Sequence, residues 1–398
     1  MASFASENIS PEKRLLLRCA RTQLSPAFAR EIRELAAGAL DWNYLLVEAA
    51  QNSLRPLLAR HLSACAAEIV PAQQWKRLAD AVRANTARCL ILTAELIQVM
   101  DRFRDAGISA VPYKGPVLAV QAYEDVTLRE FEDLDIVLRQ DDMARADEIV
   151  TSLGYRGKFP WALSPGAGSA LVPGEYQYSD HSRRMVLELH TERTLRHFPI
   201  PPDLKGLAQR LVPVFLSGHE IRTFAPEDAL GMLCVHGAKD FWGKISWIAD
   251  IAELLRACPA LNWDAAFRRA DSWNARRIVY FGLALASEML DAHLPDEIAA
   301  RVRADRVAAA LSSEVTRRLL ARDQPAFGSA ARFSYRRRMV EGALAGWRYS
   351  IRLTLVPAEE DWQMVRLPGP LAPLYVALRP FRLLRKYGWG SRDSRGPA

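Results

Sequence analysis

Two aspartates one residue apart, Asp133 and Asp135 in Glu132-Asp133-Leu134-Asp135-Ile136-Val137-Leu138, are the side chains best placed by type and spacing to do chemistry. On a strand, residues i and i+2 leave by the same face. Both carboxylates therefore aim at one spot while Leu134, Ile136 and Leu138 turn the other way into a core. Two oxygen ligands converging in this way suit Mg²⁺, which keeps most of its waters and takes one or two protein carboxylates together with substrate phosphates. Upstream, Tyr113-Lys114-Gly115 ends a run that predicts a strand over 109–113. A glycine there lets backbone N–H groups approach a phosphate, and the helix that follows offers its positive end. Lys114 and Arg129 supply cations, and the planar fork of Arg129 suits phosphate oxygens better. The set reads as a site for a nucleoside triphosphate and a divalent metal.

The run Lys114-Gly115, then Tyr123, Arg129, Asp133-Leu134-Asp135-Ile136 and Leu153-Gly154-Tyr155 resembles the uncharacterised nucleotidyltransferase families of the DNA-polymerase-β-like superfamily. The likeness continues through Leu233-Cys234-Val235-His236-Gly237-Ala238-Lys239, Trp242, Trp247 and Asp250. It implies a glycine loop, an Asp-x-Asp strand and a third acid on a later strand. Glu188 in Met185-Val186-Leu187-Glu188-Leu189-His190 is the candidate, since alternation puts Val186, Glu188 and His190 on one face. His190 then either approaches the substrate or is a hydrogen-bonded strand histidine.

The resemblance implies Asp133, Asp135 and Glu188 as catalytic and metal-holding residues, with Lys114, Gly115, Arg129 and His190 around the nucleotide. The implied cofactor is Mg²⁺ or Mn²⁺. A nucleoside triphosphate such as ATP is the donor, and a hydroxyl-bearing molecule that the sequence does not name is the acceptor. Pro116 replaces a second small residue of the superfamily pattern, and Glu188 stands where Asp is commoner. These departures motivate the alternative of a catalytically degenerate binding or scaffold protein, beside a third reading as a kinase-like transferase of the γ-phosphate.

Other signals are weaker. His236, Lys239 and Asp240 share one side of a predicted helix, facing either the nucleotide cleft or a neighbouring helix. Asp250 reads as structural. Gly166-Ala167-Gly168-Ser169 imitates a phosphate loop without the strand and helix that such a loop needs.

These residues must be positioned by a chain of 398 residues, long enough for two or three domains. The pattern predicts an α+β protein, mostly α. Residues 1–105 read as a helical N-terminal region without chemistry of its own. A small polymerase-β-like α/β domain with a mixed sheet follows over 106–202. A helical C-terminal domain spans 203–350, and a Pro-rich basic arm spans 351–398. Within the α/β part, strands are expected at 133–139, 175–179 and 184–190, with helices at 115–124 and 141–153. Phe159–Gly174 is expected to be a loop, being rich in Gly and Pro.

Five cysteines without a CxxC pair exclude a zinc knuckle and read as buried apolar residues. No run approaches the roughly 18 apolar residues of a membrane span. The polar start Met1–Pro11 lacks a signal core, so a cytoplasmic location is expected. From Arg332 onward there are 13 Arg and Lys against 5 Asp and Glu, which accounts for the net charge of +7. Peripheral membrane contact through this arm is the less favoured reading, because Pro380 is expected to break the helix needed for it. Nucleic acid is disfavoured because no reader motif is present.

Overall fold

The computed structural model describes residues 9–158, 174–191, 198–200, 202–322, 328–355, 361, 364–365, 367, 371 and 374–387. The first helices start where short polar side chains can satisfy a free backbone N–H. Ser10 Oγ accepts from Lys13 N at 3.3 Å, Ser25 Oγ from Phe28 N at 3.2 Å, and Asp41 Oδ1 from Tyr44 N at 3.0 Å. They open α1 (Pro11–Cys19), α2 (Pro26–Ala37) and α3 (Trp42–Gln51). Next come α4 (Arg55–Cys65) and α5 (Ala72–Asp105), a helix of 34 residues and thus about 50 Å long. Leu92, Leu96, Val99 and Phe103 of α5 are buried, whereas Leu90, on the opposite side of the helix, faces outwards.

Five strands form one mixed sheet: β1 (Val111–Pro112), β2 (Asp133–Val137), β3 (Arg156–Gly157), β4 (Glu175–Asp180) and β5 (Met185–His190). Their order is β1-β2-β5-β4-β3. β2 and β5 run parallel and the other neighbours antiparallel. Between the strands lie α6 (Gly115–Tyr123) and α7 (Met143–Ser152), the latter entered through a single 3₁₀ turn at Gln140–Asp142. Leu134 and Ile136 of β2 pair with Leu187 and Leu189 of β5. Together with α5, Ala146 and Val150 they form a core on one side of the sheet. Alternation sends Asp133, Asp135, Glu188 and His190 to the other side.

One expectation fails after residue 203. The short α8 (Leu204–Ala208) is followed by a hairpin, β6 (Val212–Leu216) and β7 (His219–Thr223), not by continuous helix. Its turn residues Ser217 and Gly218 both have positive φ, at 49° and 86°, which matches strand twist in a two-residue hairpin. Pro213 thus marks a strand of a two-stranded sheet rather than a helix boundary. Thr223 Oγ1 donates to Pro112 O at 2.7 Å and ties the hairpin to β1.

Helices α9 (Pro226–Lys239), α10 (Ile245–Ala257), α11 (Trp263–Ser272), α12 (Arg276–Leu290), α13 (Asp296–Ala304) and α14 (Arg306–Leu320) then pack back onto the first four. Leu15, Leu16, Leu45 and Leu58 share a core with Ile248, Phe281 and Leu311, so both ends of the chain bury one apolar interior. Lys13, fully buried, donates through Nζ to Leu319 O at 2.7 Å and Ala321 O at 2.6 Å, with Glu48 Oε2 at 3.5 Å.

One further expectation is corrected beyond α15 (Ser329–Arg338) and α16 (Ala343–Leu355). Trp347 is 45% exposed, its ring 5.6 Å from that of Phe333 in α15. A last helix, α17 (Leu374–Tyr387), runs through Pro380. Side-chain anchors offset the lost backbone bond: Tyr375 Oη donates to Val365 O at 2.6 Å, and Arg379 reaches Thr354 O and Asp361 at 2.9 Å. Most of the segment expected as a loop, including Gly166-Ala167-Gly168-Ser169, lies outside the described residues.

Candidate active site

Gly115 opens α6 with φ +53°, a conformation that L side chains rarely adopt. A Cβ there would meet Asp133 O at 3.4 Å, so it is the backbone conformation and not lack of space that calls for glycine. Pro116 occupies the first turn, where its absent N–H costs no helical bond. Tyr113 N donates to Asp135 O at 3.3 Å and fixes this segment to the acidic strand.

The parallel register places Asp135 beside Glu188 and Val137 beside His190. Asp135 Oδ1 takes Lys114 Nζ and His190 Nε2, each at 2.9 Å. His190 Nε2 also lies 3.6 Å from Glu188 Oε2, while Gln177 Nε2 donates to Glu188 Oε1 at 3.2 Å. Asp135, Glu188 and His190 present ligand atoms within 4.8 Å of one another, the one such group among the described residues. Asp133 falls outside that group and sits instead on the wall of the adjoining cleft.

Charge is distributed unevenly over these carboxyls. Burial opposes the charge on Asp135, yet Lys114 and the His190 hydrogen bond more than offset it and hold the group well below the usual carboxylate range. Burial, and then the Asp135 charge, push Asp133 up. The same two causes in the same order raise Glu188 to about 7. Burial works against the ammonium of Lys114, but Asp135 raises it above its ordinary range, so the two form a buried ion pair.

Alongside lies a cleft of about 420 Å³, lined by Lys114, Gly115, Arg129, Asp133 and Asp135 together with Ser53, Arg55, Arg88, Lys244 and Trp247. The N-terminal helices therefore contribute to the site as well as supporting it. Their part was not legible in sequence, because it rests on contacts such as Arg88 Nη2 to Glu132 O at 3.0 Å that no local pattern announces. Arg55 is committed to Glu130 through Nε at 2.9 Å. Arg129 spends Nε and Nη2 on buried Asp250 at 2.8 and 3.0 Å, and Tyr123 Oη reaches the same carboxylate at 2.8 Å. Among the described residues its remaining nitrogen, Nη1, has no such partner. By contrast, among the described residues Arg88 bonds only backbone carbonyls and Lys244 only Ser53 Oγ, at 3.3 Å. Those two cations have no carboxylate partner among the described residues.

His236 also lines the cleft, its ring 5.1 Å edge-on to Trp247. Burial and then Lys114 hold it well below its ordinary range, hence neutral.

A divalent cation fits this arrangement. Lys114 and His190 share one oxygen of Asp135, leaving Oδ2, like both oxygens of Asp133, without a protein donor among the described residues. Pinning one carboxylate oxygen so that the other is presented to a metal is how outer partners orient ligands. His190 Nδ1 is buried without a hydrogen-bond partner among the described residues.

A family model described as uncharacterised nucleotidyltransferase matches residues 38–291. The antibiotic-resistance factor ANT(2'')-Ia is 12% identical, over 47% of this chain and 92% of its own, with a TM-score of 0.32. An antigenic nucleotidyltransferase-like protein from Paracoccidioides brasiliensis is 15% identical, over 52% of this chain and 94% of its own, with a TM-score of 0.34. No curated protein matches.

Proposed function

Because this chain belongs to the uncharacterised nucleotidyltransferase family, we propose that it moves a nucleoside monophosphate from a nucleoside triphosphate to a hydroxyl acceptor. The observation that carries this reading is the cleft lined by Gly115, Asp133 and Asp135 together with cations from the N-terminal helices and the start of α10.

Asp133 and Asp135 would hold Mg²⁺ or Mn²⁺, with Glu188 close by. The bound metal would neutralise the triphosphate and stabilise the attacking and leaving oxygens. Gly115 lets the phosphates approach the start of α6. Arg88 and Lys244 then receive the β- and γ-phosphates, whose negative charge they match without breaking an existing ion pair. Lys114 and His190 hold Asp135 in one orientation. Glu188, with a pKa near neutrality, is poised to take the proton of the acceptor hydroxyl.

Measuring melting temperature with each of four nucleoside triphosphates, with and without Mg²⁺, tests the reading. Ligand at about 100 times its Kd adds roughly 2.7 kcal/mol. The expected outcome is a metal-dependent rise for at least one nucleotide that disappears in Asp133→Asn/Asp135→Asn. Release of pyrophosphate, not a nucleoside diphosphate, separates nucleotidyl transfer from a kinase reaction.

The scaffold alternative rests on Pro116, which removes one donor at the phosphate end of α6. It requires a nucleotide-induced rise without any pyrophosphate release, or no rise at all.

A further inference from the structure

Exposed large apolar side chains are not scattered evenly over this protein. Leu344, Trp347, Ile351 and Leu355 are 74, 45, 49 and 38% exposed. Spaced three, four and four residues apart, they form a single stripe along α16. Phe333 of α15, 38% exposed, extends it, its ring 5.6 Å from that of Trp347. α17 repeats the pattern with Leu374 and Phe381, two turns apart and 49 and 71% exposed.

The charge around the stripe has one sign. Residues 329–355 hold six Arg and a single Glu. Arg337 and Arg348 are exposed, and Arg337 lies over the Trp347 ring at 5.6 Å. Neither makes an ion pair among the described residues.

Three occupants are conceivable, and the observations favour one. A second copy would set the same cations face to face. A folded acidic partner would have to offer a fitted pocket to each of several apolar side chains spread along α15 and α16. The headgroup boundary of a bilayer accommodates any row of apolar side chains, and its anionic lipids match the cations.

We propose that the α15–α16 face docks on an anionic membrane surface. Leu344, Trp347 and Ile351 enter the acyl boundary, while Arg337 and Arg348 meet lipid phosphates. The docking is peripheral, since no described helix is long and apolar enough to cross a membrane. It stands independently of the nucleotidyl-transfer reading.

The test is co-sedimentation of the full chain with vesicles of phosphatidylcholine alone, or of phosphatidylcholine with an equal part of phosphatidylglycerol. Binding is expected to the anionic vesicles and to weaken with salt. Leu344→Glu/Ile351→Glu is expected to reduce it about tenfold or more, as the loss of two apolar insertions implies. Arg337→Glu/Arg348→Glu, at exposed positions that leave the core untouched, is expected to reduce it similarly and guards against misfolding of the first variant.

Absence of sedimentation with anionic vesicles overturns the proposal. So does sedimentation that both variants leave unchanged. Retention on immobilised polyglutamate without vesicle binding also overturns it, in favour of an acidic protein partner.

Discussion

Glu188 is the residue whose protonation should be visible from outside. Its carboxyl is raised from 4.5 to about 7 by burial and the Asp135 charge, so the folded, metal-free protein holds a proton there that the unfolded chain releases. The stabilisation from that proton is complete below about pH 4.5 and is lost as pH rises through about 7. A cation held close by favours the charged form of Glu188, so metal should raise the melting temperature more at about pH 8 than at about pH 6. Melting curves across that range check both statements, and Glu188→Gln should flatten both dependences. The Asp-x-Asp pair and Glu188 were legible from sequence because strand alternation fixes which face each side chain takes. What alternation left open was the division of labour. Only the structure shows Asp135 bound by Lys114 and His190 and Asp133 set on the cleft wall.

The segment from β1 into α6 decides whether a phosphate can approach. Gly115 at φ +53° is the hinge of that segment, so Gly115→Ala should cost about 1–2 kcal/mol of backbone strain. Urea unfolding measures that cost, and the nucleotide-induced rise in melting temperature should shrink with it, because relief of the strained φ shifts the backbone N–H groups at the start of α6. The main strands and helices of the sheet domain could be read from sequence, since their periodicities of two and 3.6 alternate cleanly. The β6–β7 hairpin could not. Pro213 resembled helix punctuation, and the informative pair Ser217-Gly218 is a weak turn signal without the strands around it. α17 escaped for the opposite reason: its proline forecast a break that Tyr375 and Arg379 override from outside the helix.

In the molecule as a whole, the cleft has walls from sequence regions far apart, and their relative position rests on the core shared by α1–α4 and α9–α14. Lys13 joins the two ends of that core. Lys13→Ala should strip the donor from Leu319 O and Ala321 O and leave Glu48 without its cation, at a cost of about 3–5 kcal/mol. Urea denaturation should show that loss, together with a weaker response to nucleotide, although Lys13 is not among the residues lining the cleft. The same arrangement bears on synthesis. The first helices leave the ribosome with Leu15, Leu16 and Lys13 already made, while Leu319 lies 306 residues behind Lys13. At about 5–20 residues per second, the apolar faces of α1–α4 are without their final cover for roughly 15–60 s. That interval makes the nascent chain a client for a holding chaperone.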